Sequence, residues 1–356
     1  MKQIKILLKP EDIKPSFHSW NVKGVLNPGG ERMLDGRIML YARVAETVKE
    51  KYKTKYVCPR FSSKNEIAYE KLGNKDILKK GNSKEIYLKD GLCRLPTISH
   101  LRKVILDKSG TKIEEISDKM DFFGTEGEGE YGIEDARITK IGNKYYMTYV
   151  GVSTNEGVST YLASSENMEN WNRLGLIFRE QNKDVVLFPE KIGGKYVALN
   201  RPESNFNFAK PGIWISYSKD LIYWGKESNL IRPRENSWEG NRIGGGCPPI
   251  KTSKGWLVIY HGVKDKEEDG RVYSAGVVLL DLKNPEKIIA RSSIKVPLIK
   301  PILNEEKYGF IDNVVFPTAA VLTLDKKSLL IYSGGADRVV SVRKIKIKDI
   351  FKHLKL

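Results

Sequence analysis

The chain has 356 residues, 40% of them apolar and 29% charged; it can bury a sizeable core, which excludes wholesale disorder. Lysine and arginine number 61 against 44 aspartate and glutamate, a net charge of +17, yet the basic residues are scattered and no RNP, KH, helix-turn-helix or zinc-finger pattern accompanies them. The charge therefore reads as a solvated, lysine-rich surface able to attract an anionic substrate, with no nucleic acid as partner.

From the N-terminus, MKQIKILLKPEDIKP holds one apolar run, Ile6-Leu7-Leu8, closed by lysines and too short for a signal-peptide core. No later run approaches a membrane span, so a cytoplasmic protein with no membrane partner is expected. Cys58, Cys93 and Cys247 form no CxxC pair, and the four histidines have no HExxH spacing. Neither a disulfide framework, a metal site nor an organic cofactor is expected.

Asn27-Pro28-Gly29-Gly30 is a turn whose glycines let a backbone approach a ligand closely. DGRIMLYARV (35–44) follows, an apolar strand running into Arg43. Charged insertions are expected near 47–80 and 100–125. GEGEYGIEDARIT (127–139) then sets Glu134 and Asp135 at the head of a strand beside Arg137. They are turn carboxylates with a structural ion pair, or one of them is a general acid whose pKa is set by burial and neighbouring charge. Strict alternation along a strand would turn only one of the two toward a site.

The opening unit recurs as GNKYYMTYVGVS (142–153), GGKYVALNRPE (193–203), KGWLVIYHGVK (254–264) and KKSLLIYSGGAD (326–337). Each is a polar turn and an apolar strand that ends in polar residues, and several are followed by a second strand. Two second strands close with the same Ser-x-[Asp/Asn]-[Leu/Met]-x-x-Trp pattern, at Ser165–Trp171 and Ser218–Trp224, which places a large ring where it can wedge between sheets. Five copies of a strand pair predict an all-β, five-bladed β-propeller over a double-sheet sandwich. The whole chain, 1–356, forms one domain, with a short helix near 348–355.

In a propeller, equivalent strand ends gather around the central channel, so Arg43, Asn200-Arg201, His261 and Asp337 should converge. Lys191, one turn before Arg201, is either a solvated hairpin residue or a member of a cationic site with Arg43, Arg201 and His261, fit for one phosphate dianion. Gly244-Gly245-Gly246 lack the Lys-Ser/Thr of a nucleotide P-loop.

Taken together, NPGG, LYARV, GIEDARIT, LFPEKIGGKYVALNRPE, IGGGCPPIKTSKGWLVIYHGV, VFPTA and IYSGGAD resemble glycoside hydrolase family 130, whose members are mostly β-mannoside phosphorylases on five-bladed propellers. The matching blocks run in order from about residue 24 to residue 345. The resemblance implies inverting phosphorolysis of terminal β-1,2- or β-1,4-mannosides, giving α-mannose 1-phosphate, with phosphate as co-substrate. It makes Asp135 the catalytic acid, gives Lys191, Arg201, His261 and Arg43 to phosphate, and gives Asn27 and Asp337 to the sugar. Ala136 departs from the family's more usual proline, and Thr47 to Ser62 is longer and more basic than expected. Hydrolase members of the family use glutamates as base, and Glu190, Glu203 and Glu239 lie near the same motifs. A non-catalytic basic propeller that binds anionic ligands is the reading from another class. Members of the family often assemble, which leaves a homo-oligomer open.

Overall fold

A computed structural model describes residues 3–49, 55–62, 66–81, 85–204, 208–265 and 270–356. Short runs rich in β-branched and aromatic residues, cut by Gly, Asn, Asp and Pro, form strands joined by tight turns. Five antiparallel sheets of four or five strands result, together with two smaller ones. Sheet 1 runs Trp20–Arg32, Ile38–Val48, Ile98–Leu106, Ile113–Ile116, and sheet 2 Ile133–Ile141, Lys144–Ser153, Gly157–Ser165, Asn172–Phe178. Sheet 3 runs Asn182–Leu187, Tyr196–Pro202, Ile213–Ser218, Trp224–Ile231. Sheet 4 runs Arg242–Gly245, Gly255–Asp265, Arg271–Leu280, Ile288–Arg291, with Ile250–Thr252 added to its second strand. Sheet 5 takes three strands from the C-terminal part, Val315–Leu322, Ser328–Gly335 and Val339–Lys346, and its outermost from the N-terminus, Gln3–Leu8. The sequence repeat corresponds to the second strand of each sheet, and the runs that follow four of its copies to the third strands of sheets 2 to 5.

The stretch 100–125 does not begin as an insertion. Ile98–Leu106 is the third strand of sheet 1, paired with Ile38–Val48 from Ile38↔Leu106 to Glu46↔Ile98. His100 and Arg102 interrupt its apolar pattern because both are buried polar residues, His100 against Glu46 at 2.9 Å and Arg102 against Ser16. Residues between Val48 and Ile98 include two small sheets, Lys55–Phe61 with Ile67–Gly73, and Ile77–Lys80 with Ile86–Leu88 and Cys93–Arg94.

Period-2 alternation explains why the second strands read as unbroken apolar runs: both faces are covered. Met39 and Tyr41 pack with Ile133, Met147 and Tyr149 of sheet 2, whereas Leu40 and Val44 pack with Val321 and Leu330 of sheet 5. Trp256 and Val258 face Val186 and Leu199 of sheet 3, whereas Leu257 and Ile259 face Val315 and Ile331 of sheet 5. Leu162 of sheet 2 packs with Val185 and Ala198 of sheet 3. The five cores thus join sheets 1–2, 2–3, 3–4, 4–5 and 5–1. Each fully buried Leu, Ile or Val contributes about 1.5–3 kcal/mol, so a charge on either face of a second strand would break a core.

The two Trp turns work as wedges. Ser165 and Ser218 bind Asn167 and Asp220 at 3.1 and 3.0 Å. Met168 and Leu221 then take left-handed φ values of 61° and 73° with their side chains buried. Trp171 meets Tyr41 of sheet 1 edge-on, and Trp224 meets Phe178 of sheet 2. A short helix, Ile347–His353, buries Ile350 against sheets 4 and 5. No helix among the described residues is long and apolar enough to cross a membrane.

Candidate active site

Three sheets break their ladder at the same place in the first strand. Register shifts lie between Leu26 and Gly29, between Glu134 and Arg137, and between Lys183 and Val186. Within them Asn27, Asp135 and Asp184 adopt φ of 42°, 50° and 57°. Asn and Asp are the non-glycine residues best suited to this region, and a bulge re-aims a side chain out of the alternating pattern. Asp337, φ 50°, joins them from the loop between the second and third strands of sheet 5. Gly29 lets the first strands of sheets 1 and 2 close up, because a Cβ there would overlap the Ala136 carbonyl.

Asp135 is the centre of one half of the site. Its Oδ1 accepts from Asn27 Nδ2 at 2.8 Å and from Arg43 Nη1 at 3.1 Å, while Arg43 Nη2 donates to Glu134 Oε1 at 2.7 Å. Both carboxylates therefore reach one guanidinium. The alternation expected of adjacent strand residues fails here because the bulge and the left-handed Asp135 turn the two side chains to the same side. Ser99 Oγ, 3.0 Å from Arg43 Nε, fixes the guanidinium further. Burial works against the Asp135 charge, but Arg43, Arg137 and the Asn27 amide outweigh it and hold the carboxyl below its ordinary value. Asp337 goes the other way. Burial, with Asp135 and Glu134 adding repulsion against the pull of Arg43, pushes its carboxyl up to about 6.

Asp184 is the centre of the other half. Arg201 Nε donates to its Oδ2 at 2.6 Å and Arg137 Nη2 to its Oδ1 at 3.1 Å, and His261 Nε2 lies 3.6 Å from Oδ2. Arg201, Asp184 and His261 are all buried. Glu203 pairs with Arg201 and lies 3.5 Å from Arg242 Nη1. Burial pushes the His261 imidazole down to about 3; Arg201, Arg137 and Arg242 add to this, and Asp184 opposes it. His261 is thus a neutral ring at pH 7, tilted against Phe316 with 4.4 Å between ring centroids, and not one of the cations. Arg137 joins the halves: Nη1 donates to the Asp135 carbonyl at 2.7 Å, while Nη2 holds Asp184.

The structure brings together Asn27, Arg43, Asp135 and Asp337 on one side, and Arg201 and His261 on the other. Arg43 sits with the carboxylates and not with Arg201. Lys191 is apart from both groups: it is exposed in the turn before Tyr196–Pro202, its Nζ 4.5 Å from the Tyr196 ring centroid. Arg201 lies near the other end of that strand, about 3.3 Å of rise per residue away. Asn200 points to the opposite face, bonded to Asn182 and Ser216. Glu190 is exposed and paired with Lys251, and Glu239 is buried in a separate network with Arg234, Arg291 and Tyr260.

Asp184 and Arg242 are site residues that the sequence reading passes over. Asp184 carries one signal, its place immediately before the apolar run Val185-Val186-Leu187-Phe188. Among the described residues no group of three His, Cys, Asp or Glu side chains is placed to hold a metal ion.

Residues 107–356 match the glycoside hydrolase family 130 model, described as β-1,4-mannooligosaccharide phosphorylase. A β-1,2-mannobiose phosphorylase of Listeria innocua serovar 6a is 34% identical over 98% of this chain and 96% of its own. A solved structure of the Listeria innocua enzyme with β-1,2-mannobiose superposes with a TM-score of 0.89, at 33% identity over 98% of this chain and 97% of that one. A 1,2-β-oligomannan phosphorylase of Thermoanaerobacter sp. strain X514 is 44% identical over 62% of this chain and 70% of its own. With the family model covering well over half of the chain and a full-length relative above 30% identity, the protein belongs to glycoside hydrolase family 130.

Proposed function

We propose that this protein is an inverting β-mannoside phosphorylase built on a five-bladed propeller. Five sheets whose cores join each to the next and the fifth to the first support the ring. So does a cavity of about 330 Å³ lined by Gly30, Ile138, Ile250 and Val321 of sheets 1, 2, 4 and 5 and by Pro189 just after the first strand of sheet 3.

The observation that carries the reaction is a buried cationic cradle, Arg201 with His261 beside Asp184, tied through Arg137 to Asp135. Inverting hydrolysis needs a second carboxylate free to activate water, about 6.5–9.5 Å from the acid. Here Glu134 is paired with Arg43, Glu203 with Arg201, and Asp184 with two arginines. Phosphate is already an anionic nucleophile and replaces that base, provided cations receive it. Arg201, Arg242 and neutral His261 are the proposed phosphate donors; Lys191 sits in the turn before Tyr196–Pro202, at the end of that strand away from Arg201. Asn27 and Asp337 hold the mannosyl ring, and Asp135 supplies the proton to the departing sugar. Phosphate oxygen forms the bond to the anomeric carbon as the glycosidic C–O bond breaks. The products are α-mannose 1-phosphate and the shortened acceptor. A charged sugar phosphate does not cross a bilayer, which fits a cytoplasmic enzyme.

Release of mannose 1-phosphate from β-1,2- and β-1,4-mannobiose, with and without phosphate, tests the reading. The expected result is phosphate-dependent product, with the β-1,2 linkage preferred as the names of the similar enzymes suggest. Free mannose at an equal rate without phosphate would establish hydrolysis instead.

The raised Asp337 carboxyl adds a pH prediction. It is mostly protonated below about pH 6 and ionised above, and only the carboxylate accepts two sugar hydroxyls without donating. The kcat/KM for the mannoside should rise as pH passes upward through about 6, and Asp337→Asn should flatten that limb. An unaltered limb in the variant would assign the ionisation elsewhere.

A further inference from the structure

Asp184 is a carboxylate in the middle of a site that must receive an anion, and its negative charge opposes phosphate. Something other than charge must account for it. Both oxygens are occupied, Oδ1 by Arg137 and Oδ2 by Arg201, so it has no lone acceptor poised for a proton. Burial would raise its pKa, but Arg201, His261 and Arg137 hold it well below the carboxylate range, which removes it as acid or base. Arg137 is equally committed. Its Nε donates to the Gly246 carbonyl at 3.3 Å and its other two nitrogens to Asp135 and Asp184, all protein acceptors.

We propose that Asp184 is the positioning residue of the anion cradle: braced by Arg137, its carboxylate fixes where Arg201 and His261 point, and thereby sets the affinity for inorganic phosphate. The bulge and left-handed φ of 57° bring the short Asp side chain to the arginines. The neighbouring strand has been kept clear for it. A Cβ on Gly244 would run into Asp184 Oδ2, His261 Cε1 and Arg201 Nε together, so glycine is required where the three groups meet. A forked guanidinium held at Nε presents its remaining N–H groups in one fixed direction, which is what recognition of a tetrahedral anion needs. The identity of that anion rests on the phosphorolysis reading above.

Two effects of Asp184→Asn oppose each other in sign. If Asp184 is only a counter-charge, removing it makes the cradle more positive and phosphate binds more tightly. If it positions Arg201, the isosteric amide cannot accept from two arginines, and phosphate binds more weakly. Misplacement of a binding group by about 1 Å can cost on the order of 100-fold. The expected result is a rise of about 10- to 100-fold in both the calorimetric Kd and the KM for inorganic phosphate. At saturating phosphate, kcat should stay within about threefold, the pattern of lost binding that is uniform between ground and transition states. Gly244→Ala provides the same disturbance with every charge in place and should raise the phosphate KM likewise; it decides the matter should Asp184→Asn fail to fold. A phosphate KM that is unchanged or lower, or a fall in kcat with KM untouched, overturns the proposal. Wild-type protein that binds phosphate but turns over no mannoside would sink the phosphorolysis reading alone, and the calorimetric comparison would still judge Asp184.

Discussion

Asp135→Asn is expected to lower kcat for phosphorolysis by about 10²- to 10⁴-fold, the range that one positioned acid supplies, equivalent to about 2.7–5.5 kcal/mol of barrier. The amide keeps the Asn27 and Arg43 neighbourhood nearly filled, so the fold and the mannoside Kd should change little. The free protein poses a problem that this variant addresses. Arg43 and Arg137 keep Asp135 ionised, whereas an acid must carry a proton. The solution lies in the link between the two halves. A phosphate dianion beside Arg201 spreads negative potential over the arginines that now lower the Asp135 pKa, and like charge nearby favours the protonated carboxyl. The phosphate monoanion can also bring the proton. The alkaline limb of kcat in the ternary complex, where the acid loses its proton, should accordingly lie at higher pH than the depressed Asp135 pKa of the free protein implies. A variant that retains more than a tenth of wild-type kcat would remove Asp135 from the role, and with it the reading of this half of the site.

What was legible in the sequence follows from what repeats. The strand–turn–strand unit survives as a pattern because two buried faces demand continuous apolar residues, as in Leu257-Val258-Ile259 or Leu329-Leu330-Ile331. Two elements did not announce themselves. Gln3–Leu8 completes sheet 5 across the whole length of the chain, a pairing that no local pattern encodes. Ile98–Leu106 was hidden because His100 and Arg102 are buried as polar partners, not as apolar side chains. At the site, Arg43, Arg201, His261 and Asp337 could be picked out from the polar ends of strands, whereas Asn27, and Asp135 over Glu134, rest on the resemblance to the family. Their division into two groups could not, because it depends on three bulges that overturn strict alternation. Lys191 illustrates the converse limit: ten residues from Arg201 in sequence, it lies on the far side of a strand whose length separates them.

Arg201→Met should be the most damaging change to the anion half, lowering kcat/KM for phosphate by about 10²- to 10³-fold, or about 2.7–4 kcal/mol, the loss seen when one preorganised donor to a developing or bound anion is removed. Unlike Asp184→Asn, it deletes the donor itself, so the defect should persist at high phosphate and appear in kcat as well as in KM. The mannoside Kd, measured without phosphate, should move by less than about threefold, because Asn27, Arg43 and Asp337 are untouched. Removing the cation also exposes Glu203, which has Arg242 as its remaining partner. That makes the variant a direct test of the hydrolytic alternative, since it takes a partner from Glu203 and from Asp184, and Asp184 keeps Arg137 while Glu203, at the rim, is the carboxylate better able to activate water. With Asp135 intact as acid and Glu203 freed, free mannose released without phosphate at a rate above wild type would show that the distance from phosphorylase to hydrolase in this site is a single ion pair. If no mannose appears, Glu203 is not placed to act as a base on water, and the cations alone define the nucleophile that the site accepts.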